Sequence, residues 1–216
     1  MAAKEKVGIL GSGVVGKQLA SGFAKHGYDV MIGSRDPAKL EAWKKQVKGK
    51  LATGTFADTA AFGSIVVLAT VGTGTDSAID LAGVGNFAGK LVLDATNPLD
   101  FSHGMPPGLW VGTTDSLGER VQRKLPSAKV VKCFNTVGNT RMIDPKFSEG
   151  TPPMLICGND AAAKKETAEI LLELGWPGAF DVGDMSGARW LEALVPLWVR
   201  AAQALNTYEH AFKVVR

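Results

Sequence analysis

Residue types that define several functional classes are scarce in this sequence. Its two cysteines, Cys133 and Cys157, lie in apolar runs that predict strands, so they indicate buried free thiols rather than a disulfide framework or a metal site. The formal net charge is only +3, from 24 basic and 21 acidic residues. Such a balance gives no reason to expect nucleic-acid binding.

Long apolar runs and targeting signals are also missing. No run approaches the ~20 residues of a membrane-spanning helix, and residues 1–6 lead directly into a strand without a signal-peptide pattern. The sequence contains no internal repeat, low-complexity tract or Ser/Gly linker. We therefore expect one domain over residues 1–216, with residues 184–216 as a C-terminal helical extension. The expected location is cytoplasmic, without a nucleic-acid or membrane partner.

The most informative stretch runs from Val7 to Gly16. It is an apolar strand followed by Gly-x-Gly-x-x-Gly and a helical pattern. Gly11 permits the turn, Gly13 leaves room for an approaching phosphate, and Gly16 lets the helix pack close to the strand. Free N–H groups at the helix start favour an anion. The stretch therefore predicts a pyrophosphate site, although the glycine pattern alone is a weak signal.

Strand and helix patterns alternate along most of the chain, and the links between them are short. The run Ile65–Thr70 is almost continuously apolar, which is typical of a parallel strand covered on both faces. The alternation predicts an α/β fold with a doubly wound parallel sheet, an NAD(P)-binding Rossmann fold. Strands are predicted at 6–10, 29–32, 51–52, 65–70, 91–96, 128–134, 154–157 and 179–182. Helices are predicted at 14–26, 56–62, 116–124, 161–174 and 187 to about 214, with a further helix containing Leu40, Trp43 and Val47 and an interruption at Pro196.

The residues after the second strand indicate which dinucleotide the site prefers. Enzymes that bind NAD place Asp or Glu here for the ribose 2′-hydroxyl, whereas this chain has Ser34, Arg35 and, one helical turn later, Lys39. A hydroxyl, a guanidinium and an ammonium suit a 2′-phosphate. Asp36 would serve NAD if the turn were shifted by one residue, and a solvated helix start is the plainer alternative. The cluster favours NADP(H).

Candidates for proton transfer are few. Among the three histidines, His26 falls at a helix end and His210 in the last predicted helix, so only His103 is placed for catalysis. It lies in the Gly- and Pro-rich stretch 99–114, which follows the carboxyl end of a strand. Such a stretch predicts a lid over the site, or else a mobile surface connection.

The last helix allows two interpretations. Trp190, Leu194, Leu197 and Trp198 recur at helical spacing, which predicts a core face or the interface of a homodimer. Arg189 and Glu192 would alternatively lie near a second ligand.

These motifs together resemble the F420-dependent NADP oxidoreductase family, to which the reductase domain of the STEAP metalloreductases is related. The resemblance extends over essentially the whole chain. It is carried by the first strand and its glycines, Gly33-Ser34-Arg35, Asn97-Pro98, Cys133-Phe134-Asn135-Thr136, Cys157-Gly158-Asn159-Asp160 and Leu191–Leu197. Archaeal members that use the deazaflavin F420 have a Leu-His-Thr pattern where this chain has Phe134-Asn135-Thr136. The 99–114 stretch also differs from the family's pattern.

The resemblance implies specific cofactor contacts. Gly11, Ser12, Gly13, Val14 and Val15 would hold the pyrophosphate of NADP(H), and Ser34, Arg35 and Lys39 its 2′-phosphate. Thr70 and Val71 would lie under the nicotinamide-side ribose, with Asn97 and Pro98 beside the ring, and Ala95 would be a further cofactor contact. Asn135 would face the second cofactor, F420 or FMN, and it joins His103 as a catalytic candidate.

The leading hypothesis is an NADPH-dependent oxidoreductase that exchanges hydride with F420 or a flavin. One alternative is an NADPH-dependent reductase of a small imine or carbonyl compound. The other is a non-catalytic NADPH-sensing module. In each case the partner is a small molecule, and the sequence does not specify the acceptor, the direction of reaction or the oligomeric state.

Overall fold

An eight-stranded, mostly parallel sheet lies at the centre of the structure. The computed structural model describes residues 4–215, and this range contains ten strands and seven α-helices. The strands are β1 (Lys6–Leu10), β2 (Asp29–Gly33), β3 (Lys50–Gly54), β4 (Ile65–Leu68), β5 (Leu91–Asp94), β6 (Leu99–Asp100), β7 (Gly108–Leu109), β8 (Lys129–Lys132), β9 (Met154–Gly158) and β10 (Ala179–Asp181). The helices are α1 (Val14–Lys25), α2 (Glu41–Lys44), α3 (Phe56–Phe62), α4 (Thr75–Ala82), α5 (Leu117–Lys124), α6 (Ala161–Glu173) and α7 (Ala188–Leu205). Residues 1–3, which form part of the segment predicted to lack a signal peptide, lie outside the described range.

The strand order of the large sheet is β10-β9-β8-β5-β4-β1-β2-β3. The last six strands in this order, from β8 to β3, pair in parallel, and their order is that of a Rossmann fold. The predicted doubly wound α/β architecture is therefore confirmed. Because parallel strands end at the same edge of the sheet, the segments after β1, β2, β4, β5 and β8 are brought together there.

One strand pair departs from the parallel pattern. β8 and β9 are antiparallel, although β9 and β10 are parallel to each other and form the predicted βαβ unit with α6. A parallel connection requires a crossover, usually a helix that crosses the sheet. Between β8 and β9 the chain has only a 3-10 turn at Asn139–Arg141, so it returns along the same edge.

Both faces of the sheet are buried, as the apolar run in β4 predicts. Ile65 and Val67 belong to the core on the side of α1 and α6, whereas Val66 and Leu68 belong to the core on the side of α3, α4 and α5. All four side chains are at most 1% exposed. The alternate residues of one strand thus contribute to two separate cores.

Two segments differ in extent from the sequence prediction. The predicted helix around Leu40 and Trp43 is a 3-10 turn at Pro37–Leu40 followed by the single-turn α2, and Val47 lies beyond it. The stretch 99–114 contains a small antiparallel hairpin, β6 with β7. Its Trp110 packs against the core beside α5, where the guanidinium carbon of Arg120 lies 5.2 Å from the ring centroid.

The last helix is shorter than predicted and is not interrupted. α7 continues through Pro196, because buried residues on both sides of the proline, among them Leu191 and Val199, hold it against the core. It ends where Asn206 adopts a left-handed conformation (φ 52°, ψ 35°). His210 therefore lies in the segment after α7, stacked on Trp198, and not in the helix as predicted. None of the helices in the described part of the chain has the length and apolar character needed to cross a membrane.

Candidate functional site

The turn between β1 and α1 forms one wall of a cleft. Gly11 has a φ of +123°, and a Cβ there would overlap the backbone carbonyl of Ala69, so only glycine fits. At Gly13 a Cβ would meet no atom within 4 Å. The missing methyl group at Gly13 therefore leaves open space at the helix start, as the sequence motif predicts.

The helix that follows this turn has free N–H groups at its start. Gly13 is the N-cap of α1 and supplies no side-chain hydrogen bond, and the first turn contains no acidic residue. Uncapped N–H groups and the positive end of the helix dipole favour an anion at this position. The turn thus has the features required of a phosphate-binding site.

The cleft itself has a volume of about 510 Å³, a usual size for a small-molecule site. We call it the glycine cleft. It brings together ten of the residues predicted from the sequence: Gly11, Ser12, Gly13, Val14, Val15, Ser34, Arg35, Thr70, Val71 and Ala95. Its other lining residues, which sequence reasoning missed, are Phe56, Ala69, Gly74, Ser77, Ala78 and Leu81.

Polar side chains mark the β2 end of the glycine cleft. The hydroxyl oxygens of Ser12 and Ser34 are 3.4 Å apart, and Ser34 Oγ also accepts a hydrogen bond from the backbone N–H of Asp36 at 3.1 Å. Arg35 lines the cleft and is exposed, without a hydrogen bond or ion pair to the rest of the described chain. Its guanidinium is free to bind an anion.

Lys39 does not line the glycine cleft. Its ammonium lies 3.2 Å from Asp36 Oδ2, and the Lys39 side chain is 81% exposed. This ion pair gives the Asp36 carboxylate a partner away from the cleft. Because Lys39 is paired with Asp36, Arg35 is the cationic residue at the β2 end of the glycine cleft.

Apolar side chains form the outer rim of the glycine cleft. Val14 is 71% exposed, Val71 75% and Leu81 54%. Thr70 and Thr75 fix the segment below Val71, because their hydroxyl oxygens are 3.0 Å apart and Thr75 Oγ1 donates to the Val71 carbonyl. A planar or apolar ligand would cover this rim.

Asn97 and Asn135, which we call the amide pair, lie beyond the cleft lining. Asn135 Nδ2 donates to Asn97 Oδ1 at 2.9 Å, and Asn97 Nδ2 donates to the Asn135 carbonyl at 3.1 Å. A Cβ at Gly72, next to Val71, would overlap the Asn97 carbonyl, so the pair adjoins the cleft. Pro98, the remaining predicted contact, is buried and also lies outside the lining.

Asn135 carries two signs of a functional position. Its side chain is 4% exposed, yet Oδ1 has no hydrogen-bond partner among the described residues. The preceding residue, Phe134, is fully buried with a φ of +67°, a strained conformation for a bulky side chain. Buried acceptors are normally paired, and backbone strain is concentrated at functional sites.

Three charged side chains are buried beside the amide pair, and sequence reasoning singled out only one of them, Glu192. Lys132 Nζ lies 3.0 Å from Asp94 Oδ2, 2.7 Å from Glu192 Oε1 and 2.6 Å from the Thr96 carbonyl. Burial disfavours the charged ammonium, but the attraction of the Asp94 and Glu192 carboxylates is stronger than this effect and raises the pKa of Lys132. We call these three residues the Lys132 cluster. Each of the three is a single charged residue within an apolar run of the sequence. Such a residue indicates a buried charge, and a buried charge requires a partner.

α7 is also joined to α5 by Arg189. Arg189 binds Glu119 of α5 through two hydrogen bonds, Nε to Oε2 at 2.9 Å and a terminal nitrogen to Oε1 at 2.6 Å. The Arg189 guanidinium lowers the pKa of Glu119. Arg189 and Glu192 thus hold α7 to the rest of the fold, and neither lines the glycine cleft.

The predicted apolar face of α7 is divided. Trp190 and Leu197 are 62% and 56% exposed, whereas Trp198 is buried and donates through Nε1 to the His210 carbonyl. Only the Trp198 side therefore belongs to the core.

The histidines and cysteines do not gather into a reactive centre. His103 is exposed in the 99–114 stretch and does not line the glycine cleft, while His26 Nε2 lies 2.9 Å from Asp144 Oδ1. Cys133 and Cys157 are buried free thiols, and burial raises the pKa of Cys157 to about 12. Within residues 4–215 no group of three or more His, Cys, Asp or Glu side chains could hold a metal ion.

Comparisons with known proteins decide the family. The family model described as NADP oxidoreductase, coenzyme F420-dependent, matches residues 6–98. The F420-dependent NADP reductase of Methanocaldococcus jannaschii is 31% identical over 205 residues, which cover 90% of this chain and 91% of that protein. A crystal structure of a putative F420-dependent NADP reductase from Arthrobacter sp. FB24 has 43% identity and a TM-score of 0.94, covering 99% of this chain and all of that one.

The chain belongs to the F420-dependent NADP oxidoreductase family. It is an NADP-dependent oxidoreductase with a Rossmann-like fold, as predicted. Rat metalloreductase STEAP3 is also similar, with 29% identity over 198 residues. That match covers 89% of this chain but only 38% of the metalloreductase.

The open space at Gly13 generates a direct test of the glycine cleft. We expect Gly13→Ala to fold normally, because the new methyl group meets no protein atom, and to weaken NADPH binding by about 10- to 100-fold. This range corresponds to the loss of one charge-assisted contact of roughly 1.5–3 kcal/mol. Calorimetric titration with NADPH and a thermal melt measure the two effects. Gly85→Ala is the matched control, since its Cβ also meets nothing within 4 Å and lies outside the cleft. Unchanged NADPH affinity in Gly13→Ala would contradict the assignment.

Proposed function

We propose that this protein transfers a hydride between NADP(H) bound in the glycine cleft and a deazaflavin of the F420 type or a flavin bound beside it. The observation that carries the proposal is the chemistry of the cleft lining. Among the described residues that line the cleft, Arg35 is the only side chain with a full charge, and the other polar groups are the hydroxyls of Ser12, Ser34, Thr70 and Ser77. Such a cleft can bind and orient ligands, but it offers no side chain that exchanges a proton near neutral pH.

The residues present fit NADP(H). The N–H groups of the first turn of α1 and the space at Gly13 would receive the pyrophosphate, and Arg35 with Ser34 would receive the 2′-phosphate. Asp36, held by Lys39, leaves that end of the cleft without an opposing carboxylate. When bound, the nicotinamide supplies the hydride chemistry.

The protein's own contribution is position and the exclusion of water. Val14 and Val71 supply apolar cover over the cleft, and the amide pair fixes the adjoining segments after β5 and β8. The unpartnered Asn135 Oδ1 would accept a hydrogen bond from an N–H or O–H group of the second ligand. Transfer between two oriented cofactors depends on geometry more than on a protein acid.

A reductase of a small imine or carbonyl compound would require a proton donor at the reacting atom. His103, the histidine that the sequence placed best for this role, does not line the cleft. The homodimer and the cytoplasmic location predicted from the sequence remain predictions.

Turnover with defined acceptors tests the proposal. We expect the purified protein to oxidise NADPH when F420 or FMN is supplied, which is followed by the loss of NADPH absorbance. His103→Ala should retain this activity, because the proposed transfer uses no histidine. NADPH binding without turnover of either acceptor would contradict the proposal and favour the NADPH-sensing alternative. Loss of this turnover in His103→Ala would show that the reaction requires a histidine, which a transfer without a protein proton donor does not.

The preference for the 2′-phosphate has a separate test. We expect Arg35→Ala to weaken NADPH by about 10- to 100-fold and NADH only slightly, because the lost contact is charge-assisted and specific to the phosphate. Lys39→Ala is the matched control, and its effect should stay below about fivefold, since exposed ion pairs contribute little. Dissociation constants for both nucleotides measure the difference. Equal weakening of NADPH and NADH by Arg35→Ala would show that Arg35 does not contact the 2′-phosphate.

A further inference from the structure

We propose that the Lys132 cluster is a positioning device for the amide pair. This inference rests on the proposed function, because it assigns the cluster a role in holding the place where the second ligand meets NADP(H). Asp94, Lys132 and Glu192 are thus positioning residues, which act through Asn97 and Asn135 and do not touch either ligand.

Every hydrogen-bonding group in the side chains of the cluster has a partner. Lys132 directs its three N–H groups at Asp94, Glu192 and the Thr96 carbonyl. The second oxygen of Asp94 accepts from the backbone N–H and the hydroxyl of Thr96, at 2.9 and 2.6 Å. A buried polar network in which every donor and acceptor is paired is rigid.

The cluster carries one more carboxylate than ammonium, and the start of α5 compensates for it. Glu192 accepts hydrogen bonds from the backbone N–H groups of Leu117 and Gly118, both at 2.9 Å. These are the first two residues of α5, where the helix dipole favours a negative charge. Glu192 therefore occupies the position that an anion would otherwise take.

The same three chain segments meet twice, once in the cluster and once at the amide pair. The segment at the end of β5 contributes Asp94 to the cluster, then the Thr96 carbonyl that Lys132 binds, and then Asn97 to the pair. The segment at the end of β8 contributes Lys132 and, three residues later, Asn135.

The third segment is α7. It contributes Glu192 to the cluster, and the carbonyl of the adjacent Leu191 accepts from Asn135 Nδ2 at 3.0 Å. Asn135 is thus tied to both of the other segments that the cluster fixes. A change in the separation of any two segments must move the amide pair.

If the Lys132 cluster had a purely structural role, it would only hold α7 against the rest of the fold. The chain offers a matched control for that role. Arg189 lies one helical turn before Glu192 and joins α7 to α5 through Glu119, but among the described residues it forms no hydrogen bond or ion pair with the segments after β5 and β8. Glu192→Gln and Arg189→Gln each remove one charge from the same end of α7. Only the first alters the cluster.

The experiment compares these two variants with the wild-type protein at a temperature where all are folded. The readouts are the side-chain amide NMR signals of Asn97 and Asn135, the dissociation constant for NADPH, and kcat with F420 or FMN. Asn97→Ala and Asn135→Ala assign the signals. We expect Glu192→Gln to shift both signals and to lower kcat at least ~10-fold, in line with the cost of small misplacements. NADPH affinity should change less than about twofold, because the cleft residues are untouched. Arg189→Gln should leave the signals and kcat as they are.

Two further variants complete the design. In an Asn135→Ala background, Glu192→Gln should cause no further loss of kcat, because coupled residues are not additive. If Glu192→Gln does not fold, the triple variant Asp94→Asn/Lys132→Met/Glu192→Gln replaces it, since a buried ionic group converted as a whole to neutral residues is often tolerated.

The outcomes separate this inference from the proposed function. Unchanged amide signals in the cluster variants, or equal shifts in Arg189→Gln, would overturn the positioning role. Additive losses of kcat in the double variant would also overturn it. If the wild-type protein turns over neither acceptor, the proposed function fails, and the amide signals alone still decide whether the cluster positions the pair.

Discussion

The structure depends on the parallel alignment of β1, β2, β4, β5 and β8. This alignment brings five strand ends to one edge of the sheet, and each end carries part of the candidate site: Gly11, Ser34, Thr70, Asn97 and Asn135. The apolar side chains buried on both faces of the sheet fix this alignment. Because the buried core fixes the position of this edge, the short turns after the strands can supply the site residues without having to stabilise the fold.

The glycine cleft and the amide pair, the two halves of the site, depend on different kinds of interaction. In the glycine cleft, backbone N–H groups, an uncapped helix start and one guanidinium offer positive charge to an anionic ligand. Around the amide pair, by contrast, the polar groups are buried and bonded to one another, apart from Asn135 Oδ1. The first half is therefore suited to affinity for the nucleotide, and the second to a fixed geometry for a neighbouring group.

Local features of the site could be predicted from the sequence. The glycine turn, Ser34 and Arg35 lie within a few residues of a strand end, so the pattern of one strand and one helix was enough to place them. Lys39 was expected to act beside Arg35, but sequence spacing does not show that its ammonium turns to Asp36. The Lys132 cluster was missed since its members are separated by up to 98 positions and their pairing exists only in the fold. His210 was assigned to a helix because the left-handed turn at Asn206 has no clear signal in the sequence.

The most direct measurement of the central claim is a crystal structure of the protein with NADP+. We expect the pyrophosphate to lie at the N–H groups of Gly13–Val15, the 2′-phosphate to contact Arg35, and the nicotinamide ring to adjoin Asn97. A complex in which the pyrophosphate lies away from the glycine turn, or in which the ring points away from the amide pair, would contradict this expectation.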